Sequence, residues 1–88
     1  MKVVKRDGRI VAYDRSKIGT TIQKANLEVM NKEKATKDDI KLITTYLEEL
    51  DKSRILVEDI KDIIEEKLIG LGKHELAKKY TSYNVIEY

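Results

Sequence analysis

Apolar positions in this chain come in short β-branched runs at its start and follow a period of 3.6 afterwards. Val3-Val4 and Ile10-Val11 are two short β-branched runs on either side of Lys5-Arg6-Asp7-Gly8-Arg9. Asp-Gly between such runs is a strong hairpin signal, because Gly tolerates positive φ. The pattern therefore predicts a hairpin over Val3 to Tyr13. A two-residue loop there puts Arg6 opposite Arg9 and Val4 opposite Val11. Like charges directly opposite are unfavourable, so either the loop is longer or an anion lies near them.

Helical spacing begins after Asp14, which reads as an N-cap. Ile18, Ile22, Ala25 and Val29 form one stripe, ended by Asn31-Lys32-Glu33-Lys34. Thr36 with Asp39 resembles a capping arrangement for a second helix, whose stripe is Ile40, Ile43, Leu47 and Leu50. Ser53 to Val57 reads either as a third strand pairing with the hairpin edge or as a plain loop. Glu58 and Asp59 place negative charge where a third helix begins. Ile60, Ile63, Ile64 and Leu68 form its inner face, and Gly70 and Gly72 terminate it. A last helix starts near His74, with Leu76, Ala77, Tyr80 and Tyr83 inward. The expected fold is α+β, mainly α: a four-helix bundle capped by a small β-hairpin or three-stranded sheet. A hairpin of this size is too small to stand alone and must pack on helix ends.

Composition narrows the function. The chain has 88 residues, no Pro and no linker-like stretch, so it is read as a single domain over 1–88. There is no Cys and one His, His74, which removes thiol chemistry and thiolate zinc sites and leaves a Ser-His triad without parts. The carboxylates of the later helices lack the order of a calcium loop and read as solvated helix faces, so no metal site is expected. No apolar run approaches the ~20 residues of a membrane span and no signal peptide precedes the domain, which points to a cytoplasmic protein. Eighteen basic and 16 acidic residues leave a net charge of +2, which argues against nucleic acid as a partner. No nucleophile–base pair is visible, so this chain alone is not expected to be an enzyme.

What remains is a cationic cluster. Lys5, Arg6 and Arg9 surround the hairpin turn, and Lys17 lies in the first turn of the following helix. A cation there opposes the helix dipole, and Asp14 offsets it only in part. A bound phosphate offsets it better, since backbone N–H groups and the ammonium converge on one anion. The two best-known glycine-rich phosphate loops are absent.

Val3-x-Lys5-Arg6-Asp7-Gly8 followed by Tyr13-Asp14-x-x-Lys17-Ile18 resembles the opening signature of the ATP-cone domain. Val57-Glu58-Asp59-Ile60 and the closing Gly72-x-x-Glu75-Leu76-Ala77-x-x-Tyr80-x-x-Tyr83 match that family's pattern too, so the resemblance spans nearly the whole chain. It implies an allosteric domain that binds ATP or dATP, with Mg2+ as a companion of the nucleotide. Such a domain controls activity and subunit association in ribonucleotide reductases. The partners implied are the catalytic domain of the parent reductase and a second copy of the cone. The family also includes a transcriptional repressor, but the zinc-ribbon cysteines that precede its cone are missing here. Gly70 to Tyr80 looks most like the cones of anaerobic, glycyl-radical ribonucleoside-triphosphate reductases.

Carried over by position, the resemblance assigns the phosphates to Lys5, Arg6 and Lys17, and the region of base and sugar to Asp14. It assigns the adenine pocket to Val3, Val11 and Ile18. Val57 stands where some members have a Thr that reaches phosphate, and Val11 where some have a carboxylate. Asn84 and Glu87 stand where the family often has Arg. On hydrophobicity alone, Val3, Val11 and Ile18 are core residues before they are pocket residues. The rival readings are a nucleic-acid-binding module using the basic hairpin, or a helical protein-interaction module, including a nucleotide-sensing transcription regulator.

Overall fold

The chain begins with a strand that is bonded on both sides. In the computed structural model, which describes residues 1–82, β1 (Lys2–Val4) pairs antiparallel with β2 (Ile10–Ala12) and parallel with β3 (Arg54–Leu56). The sheet order is β2-β1-β3. The region from Ser53 to Val57 is therefore a strand rather than a plain loop, and it lies against β1. Four helices follow the hairpin in chain order: α1 (Arg15–Asn26), α2 (Lys37–Glu49), α3 (Val57–Gly70) and α4 (His74–Ser82). β3 enters the chain between α2 and α3, and its last residue, Leu56, is the N-cap of α3. The expected fold class, helices under a small sheet, is the one observed.

The hairpin register differs from the two-residue-loop expectation by one residue. Val3 faces Val11 and Val4 faces Ile10. Lys5 N–H donates to the Arg9 carbonyl at 2.8 Å, and Gly8 N–H donates to the Lys5 carbonyl at 2.9 Å, with Gly8 at φ 89°. The loop is thus a tight turn over Arg6-Asp7 closed by a left-handed Gly8, the three-residue form that carries an extra residue on one strand. Because of that extra residue, Arg9 lies opposite Lys5 instead of Arg6, and Asp7 within the loop supplies the anion that meets the Arg9 guanidinium.

Each helix starts and stops for local reasons. Asp14 accepts from Ser16 N–H at 2.9 Å and begins α1. Thr36 and Asp39 form a reciprocal capping box at α2, with N–H to oxygen distances of 3.1 and 2.9 Å. α3 has no capping side chain, and Glu58 and Asp59 supply negative charge to its first turn. At its end Gly72, at φ 80°, donates to Ile69, and Lys73 N–H donates to Leu68, which is the Schellman pattern. Of the two glycines expected to end α3, Gly70 remains helical. α1 stops at Asn26, before the Asn31–Lys34 stretch expected to end it, and Asn31–Glu33 forms a 3-10 turn. Asn26 accepts from Ala35 N–H and donates to the Ala35 carbonyl, both at 3.0 Å, so its side chain imitates a strand partner and ties down the connection.

The inner sheet face and the helix stripes share one core. Val3, Ile18, Ile22, Ile43, Leu47, Ile60, Ile64, Leu68 and Leu76 are fully buried. Val11, Val29, Ile40, Leu50 and Ile63 pack at its margin. Tyr80 is buried on α4, while Tyr83 lies outside the described residues.

Two stability outcomes follow. Leu47→Ala leaves a cavity among fully buried aliphatic chains and costs about 2–5 kcal/mol in urea unfolding. Asp51 takes φ 53° just after α2, a left-handed backbone that Gly adopts without strain. Asp51→Gly therefore raises stability by up to about 1 kcal/mol in the same assay.

Candidate functional site

The hairpin loop and the start of α3 meet at the tip end of the sheet, while α1 starts from the open end of the hairpin, where Tyr13 N–H donates to the Met1 carbonyl. β1 carries Val3 on the face turned to the helices, and the period of two places Lys5 on that face one step further. Lys5 is half-buried, and Arg6 and Arg9 are exposed. Two carboxylates already engage this cationic loop. Asp7 accepts from Arg9 N–H at 3.0 Å and from Arg9 Nε at 2.7 Å. The backbone N–H, then the guanidinium, hold the Asp7 carboxyl below its ordinary pKa. Arg6 Nε donates to Glu58 Oε1, joining the hairpin to the first turn of α3. That bond, with the Lys61 charge behind it, lowers the Glu58 pKa.

Asp14 serves α1. It accepts from Ser16 Oγ at 2.6 Å and Ser16 N at 2.9 Å. The Ser16 hydroxyl first, then its N–H and the Lys17 charge, lower the Asp14 pKa. The first turn of α1 contains no carboxylate but holds Arg15 and Lys17, whereas α2, α3 and α4 each begin with Asp or Glu. The dipole and the Lys17 charge favour an anion at this helix start, where Asp14 already places one carboxylate.

An anchor that the sequence pattern did not reveal holds this corner in place. Glu48 on α2 accepts from Tyr13 Oη at 2.9 Å and takes the Arg15 guanidinium through both oxygens, at 3.0 and 3.1 Å. Arg15 also donates to Thr44 Oγ1 at 3.1 Å. One carboxylate thus fixes the end of the hairpin and the beginning of α1 to α2. Its partners lie 33 and 35 residues away along the chain, so no local motif announces them.

The expected site residues fall into three groups. Val3, Ile18 and Val57 are 0%, 1% and 3% exposed and belong to the hydrophobic core, with Val11 packed against it. Asp14 and Lys17 sit together at the start of α1, within electrostatic reach of each other. Lys5 and Arg6 sit on the hairpin, and Arg6 is bound to Glu58, the residue after Val57. Asn84 and Glu87 lie outside the described residues.

The family model described as the ATP cone domain matches residues 1–87. The chain is also similar to a vitamin B12-dependent ribonucleoside-diphosphate reductase of Thermoplasma acidophilum. The two are 38% identical over 88 residues, which covers 93% of this chain and 11% of that relative. This chain thus spans a small part of the relative's length. With the family model matching nearly its whole length, the chain belongs to the ATP-cone domain family.

Proposed function

We propose that this domain is an allosteric sensor of ATP and dATP that controls the activity and subunit association of a ribonucleotide reductase. The observation that carries the proposal is the family match over 1–87, with Lys5 and Arg6 on the hairpin and Lys17 in the first turn of α1. In this reading Lys5, Arg6 and Lys17 bind the triphosphate, the Arg fork taking two oxygens and the lysines acting as point charges. The backbone N–H groups at the start of α1 add their dipoles. Asp14 lies beside the sugar while continuing to cap α1, since a carboxylate has lone pairs for both.

The base is served differently. Val3 and Ile18 are already packed against neighbours, so adenine reaches them only where the sheet and the helices below it part. Val57 has no hydroxyl, and a phosphate contact at that position falls to the backbone. Val11, without a carboxylate, offers the adenine amino group only apolar contact. Mg2+ enters as a companion of the phosphates, which supply its oxygen ligands.

Discrimination between the two nucleotides requires each to favour a different association state, because equal affinity for both states shifts nothing. The parent protein supplies those states, and its catalytic domain is the implied partner. The closing segment from Gly70 to Tyr80 suggested a glycyl-radical enzyme, whereas the relative at 38% identity is B12-dependent. The nucleotide-binding opening does not depend on that distinction, so the regulatory role is proposed for a ribonucleotide reductase without a radical class.

Isothermal calorimetry of the 88-residue chain should show saturable binding of ATP and dATP without hydrolysis. Lys17→Ala and Arg6→Ala should each weaken it by about tenfold or more, the loss of one charge-assisted contact. Absence of heat with both nucleotides, or unchanged affinity in both variants, overturns the proposal. Glu58 competes with phosphate for the Arg6 guanidinium. Glu58→Gln should therefore tighten ATP binding, by up to about fivefold for an exposed pair, and a weaker affinity in that variant would contradict this competition.

A further inference from the structure

The outer face of the sheet carries an apolar row that the bundle does not use. Each strand holds two consecutive apolar residues instead of an alternation: Val3-Val4, Ile10-Val11 and Ile55-Leu56. One of each pair turns inward, where Val3, Val11 and Ile55 lie side by side in register. The others, Ile10, Val4 and Leu56, are also in register and form a row across the outer face. Ile10 is 47% and Leu56 53% exposed. A sheet with one face in water keeps that face polar, and a parallel pair such as β1–β3, apolar on both faces, is the mark of strands covered on both sides.

The adjoining row is cationic. Lys2 and Arg54 face each other in the parallel register, with Ala12 beyond Lys2. Both are exposed, and among the described residues neither has a carboxylate partner. Two cations side by side on neighbouring strands repel, and nothing in the described structure relieves them. This is the converse of the hairpin tip, where Arg6 and Arg9 each have an acid.

We propose that the outer sheet face docks an amphipathic helix of a partner protein whose apolar stripe is edged by Asp or Glu. Three strands at about 4.8 Å spacing make a platform about 10 Å wide, the width of one helix. Burying Ile10, Val4 and Leu56 under that stripe removes apolar surface from water. The acidic edge meets Lys2 and Arg54 and sets the direction in which the helix lies. The face is opposite the one that carries Val3 and Lys5 toward the helices, so docking there leaves the proposed nucleotide site open.

The test is a 1H–15N correlation titration of the 88-residue chain with two synthetic peptides. One is an amphipathic helix with Leu at i, i+3, i+4 and i+7 and Glu along its edge; the other has Lys in place of every Glu. The Glu peptide should shift the amides of Lys2, Val4, Ile10, Arg54 and Leu56 saturably, and the Lys peptide should bind about tenfold more weakly or less. The double variant Lys2→Glu/Arg54→Glu should reverse that preference, and its own spectrum reports whether it is folded. Ile10→Ser provides an independent check, with weaker binding of the Glu peptide and an unchanged nucleotide titration. No shift up to about 1 mM peptide, shifts centred elsewhere, or equal binding of both peptides overturns the proposal. Shifts of the same amides on raising protein concentration without peptide overturn it in favour of self-association.

Discussion

Everything at the proposed nucleotide end depends on β1 being bonded on both sides at once. Lys2–Val4 is only three residues long, and neither of its partner strands is longer. A hairpin of that length is not stable by itself. It becomes part of the domain because β3 arrives from 50 residues further along and because Val3 is driven fully into the core. The Lys5-Arg6-Asp7-Gly8-Arg9 loop is then held beside the start of α3, where Arg6 meets Glu58, rather than waving from the surface. Glu48 completes the restraint by holding Tyr13 and Arg15 from the α2 side.

Charge is arranged around that frame with a consistent logic. The guanidinium groups of Arg6, Arg9 and Arg15 are each met by a carboxylate of the chain itself. These exposed pairs contribute little to stability, but they keep long side chains in defined directions. A ligand phosphate entering among them exchanges one anion for another instead of ordering a free side chain.

Much of the architecture was legible because it is written in local patterns. The Asp14 cap, the Thr36/Asp39 box and the stripes of α1 to α4 each rest on residues a few positions apart, and all are present. The hairpin was legible, and the like-charge argument already pointed to a loop longer than two residues or a nearby anion; the structure has both, a three-residue loop and Asp7 against Arg9. The early end of α1 was hidden. Val29 keeps the apolar rhythm and still packs on the core, although the chain has already left the helix. The Glu48 anchor and the Arg6–Glu58 pair were invisible, because exposed charges carry no periodicity and their partners are set by the tertiary fold. Val3, Val11 and Ile18 were read both as core and as walls of a base pocket, and the full burial of Val3 and Ile18 shows how closely the two descriptions overlap in a domain this small.

The passage from β3 to α3 has no loop in it. Leu56 is the last strand residue and Val57 the first helical one. A connecting loop ordinarily takes up small displacements of the elements it joins, and here no such slack exists. If an occupant levers the sheet upward, the axis of α3 must tilt with it or the β1–β3 ladder must break. α4 packs against α3, so the same rigid joint would carry that tilt to the far end of the described chain, toward whatever follows it in a longer polypeptide.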